Sequence, residues 1–288
     1  MLKTVWLTDN KTTAGGVAML LGGFDGLHVG HRRLLSCAKA SGLPVGLMTI
    51  VGGKDGESLF TFAEREEIFC TAGVDLVFEL PFSEIKDLTP TEFLGLLQNE
   101  FSPSVYICGE DFRFGAKALG TPEMIEGLTQ VRVEILPLVE YNGEKVSSTS
   151  IKTLLRMGKT EEAAALLGHP FFLTGEVVKD RQIGRTLDFP TANIVYPAGK
   201  YSLKTGVYET RVNVDGKLYK GITNYGARPT FNNDTVVTET YLDGFSGDLY
   251  GRRLKVEFVR FLREVKRFNG VEELKAQLTK DIRQVRGE

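Results

Sequence analysis

Residues 17–31 read VAMLLGGFDGLHVGH, and this stretch decides the fold of the first half of the chain. Its first part, Val17–Phe24, is a continuous apolar run, which is typical of a strand buried on both faces. The glycine-rich turn that follows leads into a helix predicted from about Gly30 to Ala40. In an open parallel sheet, ligands bind at such a turn, at the carboxyl ends of the strands. We therefore expect an α/β doubly wound domain with a ligand site here.

The rest of the first half continues to alternate strands and helices. Strands are predicted at Pro44–Val51, Asp75–Phe82, Ser104–Gly109 and Val131–Val139, and helices at Phe62–Ala72 and Thr89–Asn99. The second of these helices has a capping-box start, because proline follows its threonine cap and glutamate stands at the third helical position. Alternation of this kind implies a parallel sheet with right-handed crossovers.

The hydrophobic pattern changes near residue 170. Two short helices, Ser148–Met157 and Thr160–Leu167, are predicted as a connector. Period-two segments then predict strands at Phe171–Val178, Val207–Val214, Lys217–Thr223, Val236–Leu242 and Leu254–Phe261, followed by an amphipathic helix at Val271–Arg286. The second half is therefore predicted to be an antiparallel barrel or sandwich with a C-terminal helix. We expect two domains, residues 1–168 with the connector helices and residues 169–288.

Composition excludes several classes of protein. The chain has 288 residues, 35 basic and 37 acidic, with a formal net charge of -2, which argues against a general nucleic-acid or membrane-surface binder. Its three cysteines form no CxxC pair, so neither a disulfide framework nor a zinc site is indicated, and a reducing, cytoplasmic compartment is expected. The sequence shows no signal peptide and no apolar run long enough to span a bilayer.

Two of the three histidines lie at the turn that follows the first buried strand. His28 and His31 are three residues apart, so both rings can face the same side of a helix start. Gly26 and Gly30 allow a ligand to approach the backbone closely. A helix start offers free N–H groups to a phosphate, and two imidazoles there can stabilise charge as pyrophosphate leaves ATP. A metal pair is the alternative, but no third ligand is evident nearby.

A second group of polar residues lies in Gly184–Asn193, which reads GRTLDFPTAN. Thr191 and Asn193 are oxygen donors two residues apart, so in an extended segment they point the same way. Mg²⁺ favours a few such oxygens together with phosphates and water. An ordinary turn at the start of a strand is the alternative interpretation, since proline, threonine and asparagine are common turn residues.

These motifs resemble a known family. Residues 22–31 resemble the HxGH signature of the nucleotidyltransferase superfamily, in the form found in the adenylyltransferase half of prokaryotic bifunctional riboflavin kinase/FAD synthetases. Two more stretches resemble that half, namely GEDFRFG at Gly109–Gly115 and VSSTSI at Val146–Ile151. Three resemble the kinase half, in the family's order: GRTLDFPTAN, NYGARPTF at Asn224–Phe231 and GDLYG at Gly247–Gly251.

The resemblance implies a Rossmann-like adenylyltransferase domain followed by a β-barrel riboflavin kinase domain. It implies that ATP phosphorylates riboflavin to FMN and adenylylates FMN to FAD, with Mg²⁺, so the expected partners are ATP, riboflavin, FMN and FAD. With the charge balance given above, no nucleic-acid or membrane partner is expected, and protein partners are left open. By the resemblance, the catalytic residues are Glu239, His28 and His31, with Glu239 as general base. The implied ligand contacts are, for ATP and phosphate, Gly22, Phe24, Asp25, Gly26, Gly30, Ser147, Ser148, Thr149, Lys152, Gly184, Arg185, Thr191 and Asn193; for flavin, Asp111, Phe112, Arg113, Phe114 and Arg228; and for Mg²⁺, Thr191 and Asn193.

The chain departs from the family pattern at several positions. Gly23 replaces an asparagine, MTIVGG at Met48–Gly53 replaces a TFDPHP-like segment, and Lys152 replaces an arginine. Lysine keeps the positive charge but lacks the planar fork that binds phosphate in a bidentate way. Asp180 and Asp188 replace glycines in the kinase half.

Three alternatives stay open at this point. One is a single-activity riboflavin kinase with a degenerate first half, which the missing TFDPHP segment favours and the intact His28 and His31 oppose. Another is a non-catalytic regulator that binds flavin nucleotides, which would have no need of Glu239 with Thr191. The third is a transferase of the same superfamily with a different phosphate substrate, which the kinase-like second half opposes.

Overall fold

The computed structural model describes residues 3–7, 15–52, 57–179, 191–227 and 236–288. The chain divides into two compact units, Met1–Ser150 and Ile151–Glu288, called the first and second unit below.

The first unit is built on one six-stranded sheet. Its strands are β1 (Lys3–Trp6), β2 (Val17–Leu20), β3 (Val45–Val51), β4 (Leu76–Pro81), β5 (Pro103–Gly109) and β6 (Val133–Leu136). They lie in the order β1-β4-β3-β2-β5-β6; the edge strand β1 pairs antiparallel with β4, and the other pairs are parallel. The helices of this unit are α1 (Val29–Ala40), α2 (Phe62–Thr71), α3 (Phe82–Ile85), α4 (Pro90–Phe101) and α5 (Pro122–Thr129), and a short hairpin joins β7 (Glu140–Tyr141) to β8 (Glu144–Lys145).

The central strand β2 shows why the sequence folds this way. Its four residues, Val17 to Leu20, are completely buried, as the continuous apolar run predicts. The predicted strand ran on to Phe24, and this boundary was wrong, because β2 ends at Leu20. The chain leaves the sheet there, and Phe24 adopts a left-handed backbone with φ 41. This early exit forms the glycine-rich turn at the carboxyl end of the strand.

The second unit is a closed antiparallel barrel. Its strands are β9 (Phe171–Val178), β10 (Thr191–Val195), β11 (Gly206–Val214), β12 (Lys217–Ala227), β13 (Val236–Leu242) and β14 (Arg253–Arg263). Before the strands come two helices, α6 (Ser148–Met157), which begins in the first unit, and α7 (Thr160–Leu167). After them comes the C-terminal helix α8 (Val271–Arg286). The barrel order is β10-β13-β12-β11-β14-β9, and β9 also pairs with β10, so the ring is complete. The predicted fold class is therefore confirmed, with a barrel as the form of the second half.

Three threonines form a hydroxyl ladder inside the barrel. Thr210, Thr223 and Thr240 come from the neighbouring strands β11, β12 and β13, and each is completely buried. Their Oγ1 atoms lie 2.9 Å apart for Thr210 and Thr223, and 2.8 Å apart for Thr223 and Thr240. Each hydroxyl in this ladder is thus satisfied by a neighbour, as a buried polar group requires.

The C-terminal helix α8 is attached to the barrel by a buried ion pair. Asp281 is 2% exposed, and its carboxylate accepts hydrogen bonds from Arg263 Nε at 3.0 Å and from Arg263 Nη2 at 2.7 Å. Gln277 donates a further bond to the same carboxylate at 2.7 Å. Beside this pair, Ile282 and Val285 pack in an apolar cluster with Val207 and Ile222 of the barrel.

We expect Asp281→Asn to lower the free energy of unfolding of the second unit by about 3 kcal/mol, because breaking a buried pair leaves an uncompensated charge. Urea denaturation followed by circular dichroism would measure this. The matched control is Glu264→Gln, which breaks the exposed pair with Lys204 and should cost less than about 1 kcal/mol. Equal destabilisation by the two variants would contradict the role given to Asp281.

Within the described residues, none of the helices is both long and apolar enough to cross a membrane.

Candidate active sites

The turn predicted to bind a nucleotide, residues 22–31 and called the nucleotide turn below, brings the two predicted histidines into contact. The rings of His28 and His31 are stacked, with centroids 3.6 Å apart and an interplanar angle of 16°. His28 caps α1, because its Nδ1 accepts a hydrogen bond from the His31 N–H at 3.2 Å. His31 Nδ1 lies 2.9 Å from the Gly26 carbonyl oxygen. The Phe24 ring packs on the other side of His31, with centroids 4.4 Å apart.

These contacts fix which ring nitrogens carry protons. His28 Nδ1 accepts a hydrogen bond, so a neutral His28 ring carries its proton on Nε2 and can donate it to a phosphate. His31 Nδ1 faces a carbonyl, so it holds the proton, and Nε2 of a neutral ring is an acceptor. His31 therefore becomes a donor to a phosphate through Nε2 only when the ring is protonated.

The surroundings keep both rings neutral in the ligand-free protein. Burial, the neighbouring His31 and Lys145 lower the pKa of His28 to about 2, against the effect of a backbone hydrogen bond. Burial lowers the pKa of His31 to about 4, although the Gly26 carbonyl and Asp111 oppose this shift. A bound triphosphate brings negative charge beside the rings and so favours their protonation.

These pKa values predict that the first unit loses stability in mild acid. In the unfolded chain the histidines take up protons below about pH 6.5, whereas in the folded protein they do so only near the lowered pKa values of about 2 and about 4. The stability that is present above about pH 6.5 is therefore lost as the pH falls towards the pKa values of the folded protein. At about pH 5 the loss is roughly 2 kcal/mol for each ring. Urea denaturation at about pH 7 and 5 should therefore show a smaller loss in the double variant His28→Asn, His31→Gln than in the parent. An equal loss in both proteins would contradict the assignment.

Three glycines of the nucleotide turn leave room for aromatic rings. A Cβ at Gly22 would lie 2.8 Å from the Phe24 ring, and one at Gly30 would lie 3.1 Å from the His28 ring. A Cβ at Gly26 would lie 3.1 Å from the Phe60 ring. At Gly23, where the family has asparagine, a Cβ would meet nothing within 4 Å. Packing at the Cβ position therefore does not explain why glycine replaces asparagine here.

Two further predicted loops lie beside the nucleotide turn. Asp111 of the GEDFRFG stretch forms an ion pair with Lys145, at the end of β8. Asp111 lies within electrostatic reach of His31, and Lys145 within reach of His28. The sequence analysis did not identify Lys145 as a site residue. Its position immediately before the VSST stretch was the signal that could have identified it. The structure thus places a cation and a carboxylate beside the histidine pair.

The other residues of the predicted flavin loop differ in accessibility. Arg113 is exposed, and its Nη1 donates to the carbonyl oxygen of Phe112 at 2.7 Å. The rings of Phe112 and Phe114 are stacked, with centroids 5.5 Å apart. Phe114 is 4% exposed and belongs to the core cluster of the first unit, and half-buried Phe112 packs against the same cluster.

The serines of the VSST stretch cap helix α6. Ser150 N–H donates to Ser147 Oγ at 3.1 Å, and Ser147 N–H donates to Ser150 Oγ at 3.0 Å. Ser148 is half-buried and Thr149 is exposed at the same helix start. Lys152 lies over the Tyr201 ring, with its Nζ 5.4 Å from the ring centroid. The hydroxyls at the helix start are thus held in place, and Lys152 has an aromatic neighbour of its own.

The second candidate site lies on the outer face of the barrel. Thr191 Oγ1 donates a hydrogen bond to Glu239 Oε1 at 3.0 Å. Asn193, which is 5% exposed, stands directly opposite Glu239 in the pairing of β10 with β13. The neighbours of Glu239 on β13, Thr238 and Thr240, are completely buried inside the barrel, so alternation along the strand places Glu239 outside. These three residues, Thr191, Asn193 and Glu239, are called the barrel trio.

Thr191 and Asn193 lie on a strand, β10, which the alternative interpretation as a turn did not anticipate. The extended backbone puts both side chains on one face, as their spacing predicts. The predicted contacts Gly184, Arg185 and Arg228, and the departures Gly53, Asp180 and Asp188, lie outside the described residues.

Comparisons with known proteins cover both halves of the chain. A family profile described as FAD synthetase matches residues 10–150, and one described as Riboflavin kinase matches residues 167–287. The curated bifunctional riboflavin kinase/FMN adenylyltransferase of Bacillus subtilis (strain 168) is 31% identical over 305 residues, which cover 97% of this chain and 96% of that protein. The protein of the same name from Pseudomonas fluorescens is 32% identical and covers 93% of this chain and 91% of its own length.

One solved structure resembles the whole chain. It is a crystal structure named as a macrolide-efflux protein from Streptococcus pneumoniae, with a TM-score of 0.87 and 29% identity. The match covers 98% of this chain and 97% of that one.

Proposed function

The chain belongs to the family of bifunctional riboflavin kinases and FMN adenylyltransferases, and from this premise we propose which residues carry its two reactions. The chain is an enzyme of FAD biosynthesis: ATP phosphorylates riboflavin to FMN, and a second ATP adenylylates FMN to FAD. We assign adenylyl transfer to the nucleotide turn of the first unit and phosphoryl transfer to the barrel trio of the second.

In adenylyl transfer, a phosphate oxygen of FMN attacks the α-phosphorus of ATP, and the bond to the β-phosphate oxygen breaks to release pyrophosphate. The free N–H groups at the start of α1 and the Nε2–H of His28 donate to the phosphates. Protonated His31 donates through Nε2, where charge builds on the leaving group. Catalysis here consists of positioning and charge stabilisation, with no covalent enzyme intermediate. Lys145 adds positive charge on the His28 side of the same site.

In phosphoryl transfer, the 5′-hydroxyl of riboflavin attacks the γ-phosphorus of ATP, and ADP leaves. We assign Glu239 as the general base that takes the hydroxyl proton. The Thr191 hydroxyl, which donates to one oxygen of this carboxylate, holds it in a fixed orientation. Placement on a strand of a closed barrel makes the position of the base rigid.

Kinases and adenylyltransferases that use ATP need a divalent metal, and we propose that it is Mg²⁺. The barrel trio fits this ion, because Thr191 and Asn193 present neutral oxygens on one face beside a carboxylate, and Mg²⁺ binds such hard donors together with phosphate oxygens and water. Thr191 and Asn193 would hold it, and it would neutralise charge on the phosphates of ATP. This leaves Glu239 to act on the alcohol proton.

The observation that carries this proposal is the contact of Thr191 with Glu239 opposite Asn193, since this arrangement suits proton removal next to a metal-bound triphosphate. The test is to incubate the purified protein with riboflavin, ATP and Mg²⁺ and to separate FMN from FAD. Formation of both supports the two assignments. FMN alone would favour a kinase with a silent first unit, and binding without product would favour a regulator that binds flavin nucleotides.

The domain boundary near residue 169 stays a prediction, which fragments can test. Helix α7 packs on β9 and β14, Thr160 Oγ1 donates to the Val259 carbonyl oxygen at 3.2 Å, and Leu167 is completely buried. We therefore expect fragments 151–288 and 169–288 both to phosphorylate riboflavin, with the higher thermal midpoint for the longer one, which keeps these contacts. Inactivity of both fragments would show that the kinase site depends on the first unit.

We also propose that the protein is located in the cytoplasm. Cys37, Cys70 and Cys108 are free cysteines, which is the state expected in the reducing cytoplasm.

A further inference from the structure

A buried arginine lies on helix α2, outside every motif discussed above. Arg65 is 3% exposed, and its Nη1 donates to Thr49 Oγ1 at 2.8 Å. Its Nε is buried and has no hydrogen-bond partner among the described residues. Glu64, the adjacent residue, is occupied elsewhere, because its carboxylate caps the helix at Thr61 N–H. A buried guanidinium with an incomplete set of partners is costly, so its presence here calls for an explanation.

Carboxylates of the nucleotide turn and of β4 offset the charge of Arg65. Burial lowers the pKa of the guanidinium, and the carboxylates of Asp25 and Glu79 oppose this shift. Asp25 belongs to the turn, and its Oδ1 also accepts the Leu59 N–H at 2.9 Å. The residues around Arg65 therefore connect α2, the segment before it and the turn that carries the histidines.

Thr49 transmits the contact from Arg65 to the backbone of the turn. It is completely buried on β3, and its Oγ1 lies 3.2 Å from the Gly23 carbonyl oxygen and 3.4 Å from that of Phe24. Since Arg65 donates to Thr49 Oγ1, the proton of the Thr49 hydroxyl is directed to these two carbonyls. The hydroxyl thus holds two successive peptide groups of the turn.

Those peptide groups flank the one strained residue of the turn. Phe24 has φ 41, a left-handed conformation that is unfavourable for a bulky side chain and persists only where the surroundings enforce it. Its ring is 1% exposed and lies against His31, with centroids 4.4 Å apart. Holding the carbonyl of Phe24 therefore fixes the ring on which His31 rests.

We propose that Arg65 is a positioning residue for adenylyl transfer, which acts through the Thr49 hydroxyl to hold the left-handed turn at Phe24 and, through the Phe24 ring, to place His31. The inference rests on the assignment of adenylyl transfer to the nucleotide turn. It gives a function to Thr49 in the segment Met48–Gly53, which departs from the family pattern.

The test compares two pairs of variants. Thr49→Val keeps the shape and removes the hydroxyl, and Thr49→Ser restores it; Arg65→Met removes the charge, and Arg65→Lys restores it. We expect the valine and methionine variants to lower kcat for FMN to FAD by about 10- to 100-fold, since a misplacement of about 1 Å has effects of this size. KM for ATP should change little, and serine and lysine should restore much of the loss. Circular dichroism would establish that the first unit is folded; if Arg65→Met does not fold, the Thr49 pair carries the test.

Coupling to His31 separates positioning from a general loss of stability. In a His31→Ala background, Thr49→Val should cause little further loss, because the group that it places is already absent. If Thr49→Val lowers the rate equally in both backgrounds, or if Thr49→Ser fails to restore it, the proposal is overturned.

A second readout does not depend on FAD formation. The ring signals of ¹³C-labelled His31 in ligand-free protein should move in Thr49→Val and Arg65→Met and stay near the parent positions in Thr49→Ser. If the parent protein makes no FAD, the assignment of adenylyl transfer to the nucleotide turn fails. The ring signals would still show whether Arg65 and Thr49 position His31. Unmoved signals in Thr49→Val would overturn the inference.

Discussion

Glu239→Gln is expected to lower the rate of FMN formation by about 10²–10⁴-fold, because an amide cannot take the proton from the 5′-hydroxyl of riboflavin. The substitution keeps the size of the side chain, and the amide oxygen can still accept the hydrogen bond from Thr191 Oγ1, which is 3.0 Å away in the parent. Binding of riboflavin should therefore be preserved, and the loss should fall on kcat and on kcat/KM equally.

Steady-state kinetics of FMN formation, with riboflavin affinity measured separately, would check this result. The matched control is Glu176→Gln, an exposed glutamate on β9 of the same barrel, which should behave as the parent. FAD formation from supplied FMN provides an internal control in the same chain and should be unchanged. A Glu239→Gln enzyme that turns over like the parent would show that another group is the base.

His31→Ala is expected to abolish most conversion of FMN to FAD and to leave FMN formation nearly intact. Removal of one donor to a developing negative charge costs roughly 10²–10³-fold in rate. Alanine also removes the ring that stacks on His28 at 3.6 Å, so the remaining histidine loses part of its support. The barrel trio belongs to the other compact unit, so its reaction should proceed without His31.

The measurement is a pair of assays on one preparation, FMN to FAD and riboflavin to FMN. Ser36→Ala is the control, since Ser36 is exposed on the same helix and its hydroxyl bonds only to the Arg32 carbonyl oxygen among the contacts that the structure describes. Equal loss of both activities in His31→Ala would mean that the sites are coupled or that the variant is destabilised.

Sequence patterns predicted the fold best where the periodicity was strong and the ends were marked. Helices α6, α7 and α8 begin and end at the predicted residues, and so do β9 and β13. Each of these has an apolar repeat of its own, and Gly158 and Gly168 mark the ends of the two connector helices.

The elements that were missed depend on distant partners or on weak local signals. Strand β1 is four residues long and exists through its antiparallel pairing with β4, which lies some 70 positions further along the chain. Helix α5 has proline at its first position, but Gly127 weakens its helical pattern. Strand β10 follows Pro190 and carries threonine and asparagine, which also suit a turn.

The candidate sites were predictable only in part, for a similar reason. Motif spacing predicted that His28 and His31 share a face, and the structure shows their rings stacked. No sequence pattern indicated that Arg65 reaches under the same turn, because its partner Thr49 is 16 residues away on another element. A contact between a helix and a strand of this kind depends on how the sheet packs, which local periodicity does not contain.

The hydroxyl ladder inside the barrel has a consequence for how the chain finds its active form. Glu239 and Thr240 are neighbours on β13, so a slip of that strand by one residue would exchange their faces. The carboxylate would then point into the closed interior, and the hydroxyl of Thr240 would leave Thr223, from which it now lies 2.8 Å away. Both changes are unfavourable, since a charge would be buried without a partner and a hydroxyl bond would be lost. Folding therefore disfavours a barrel that closes with β13 in the wrong register. The favoured register places Glu239 on the outside of the barrel.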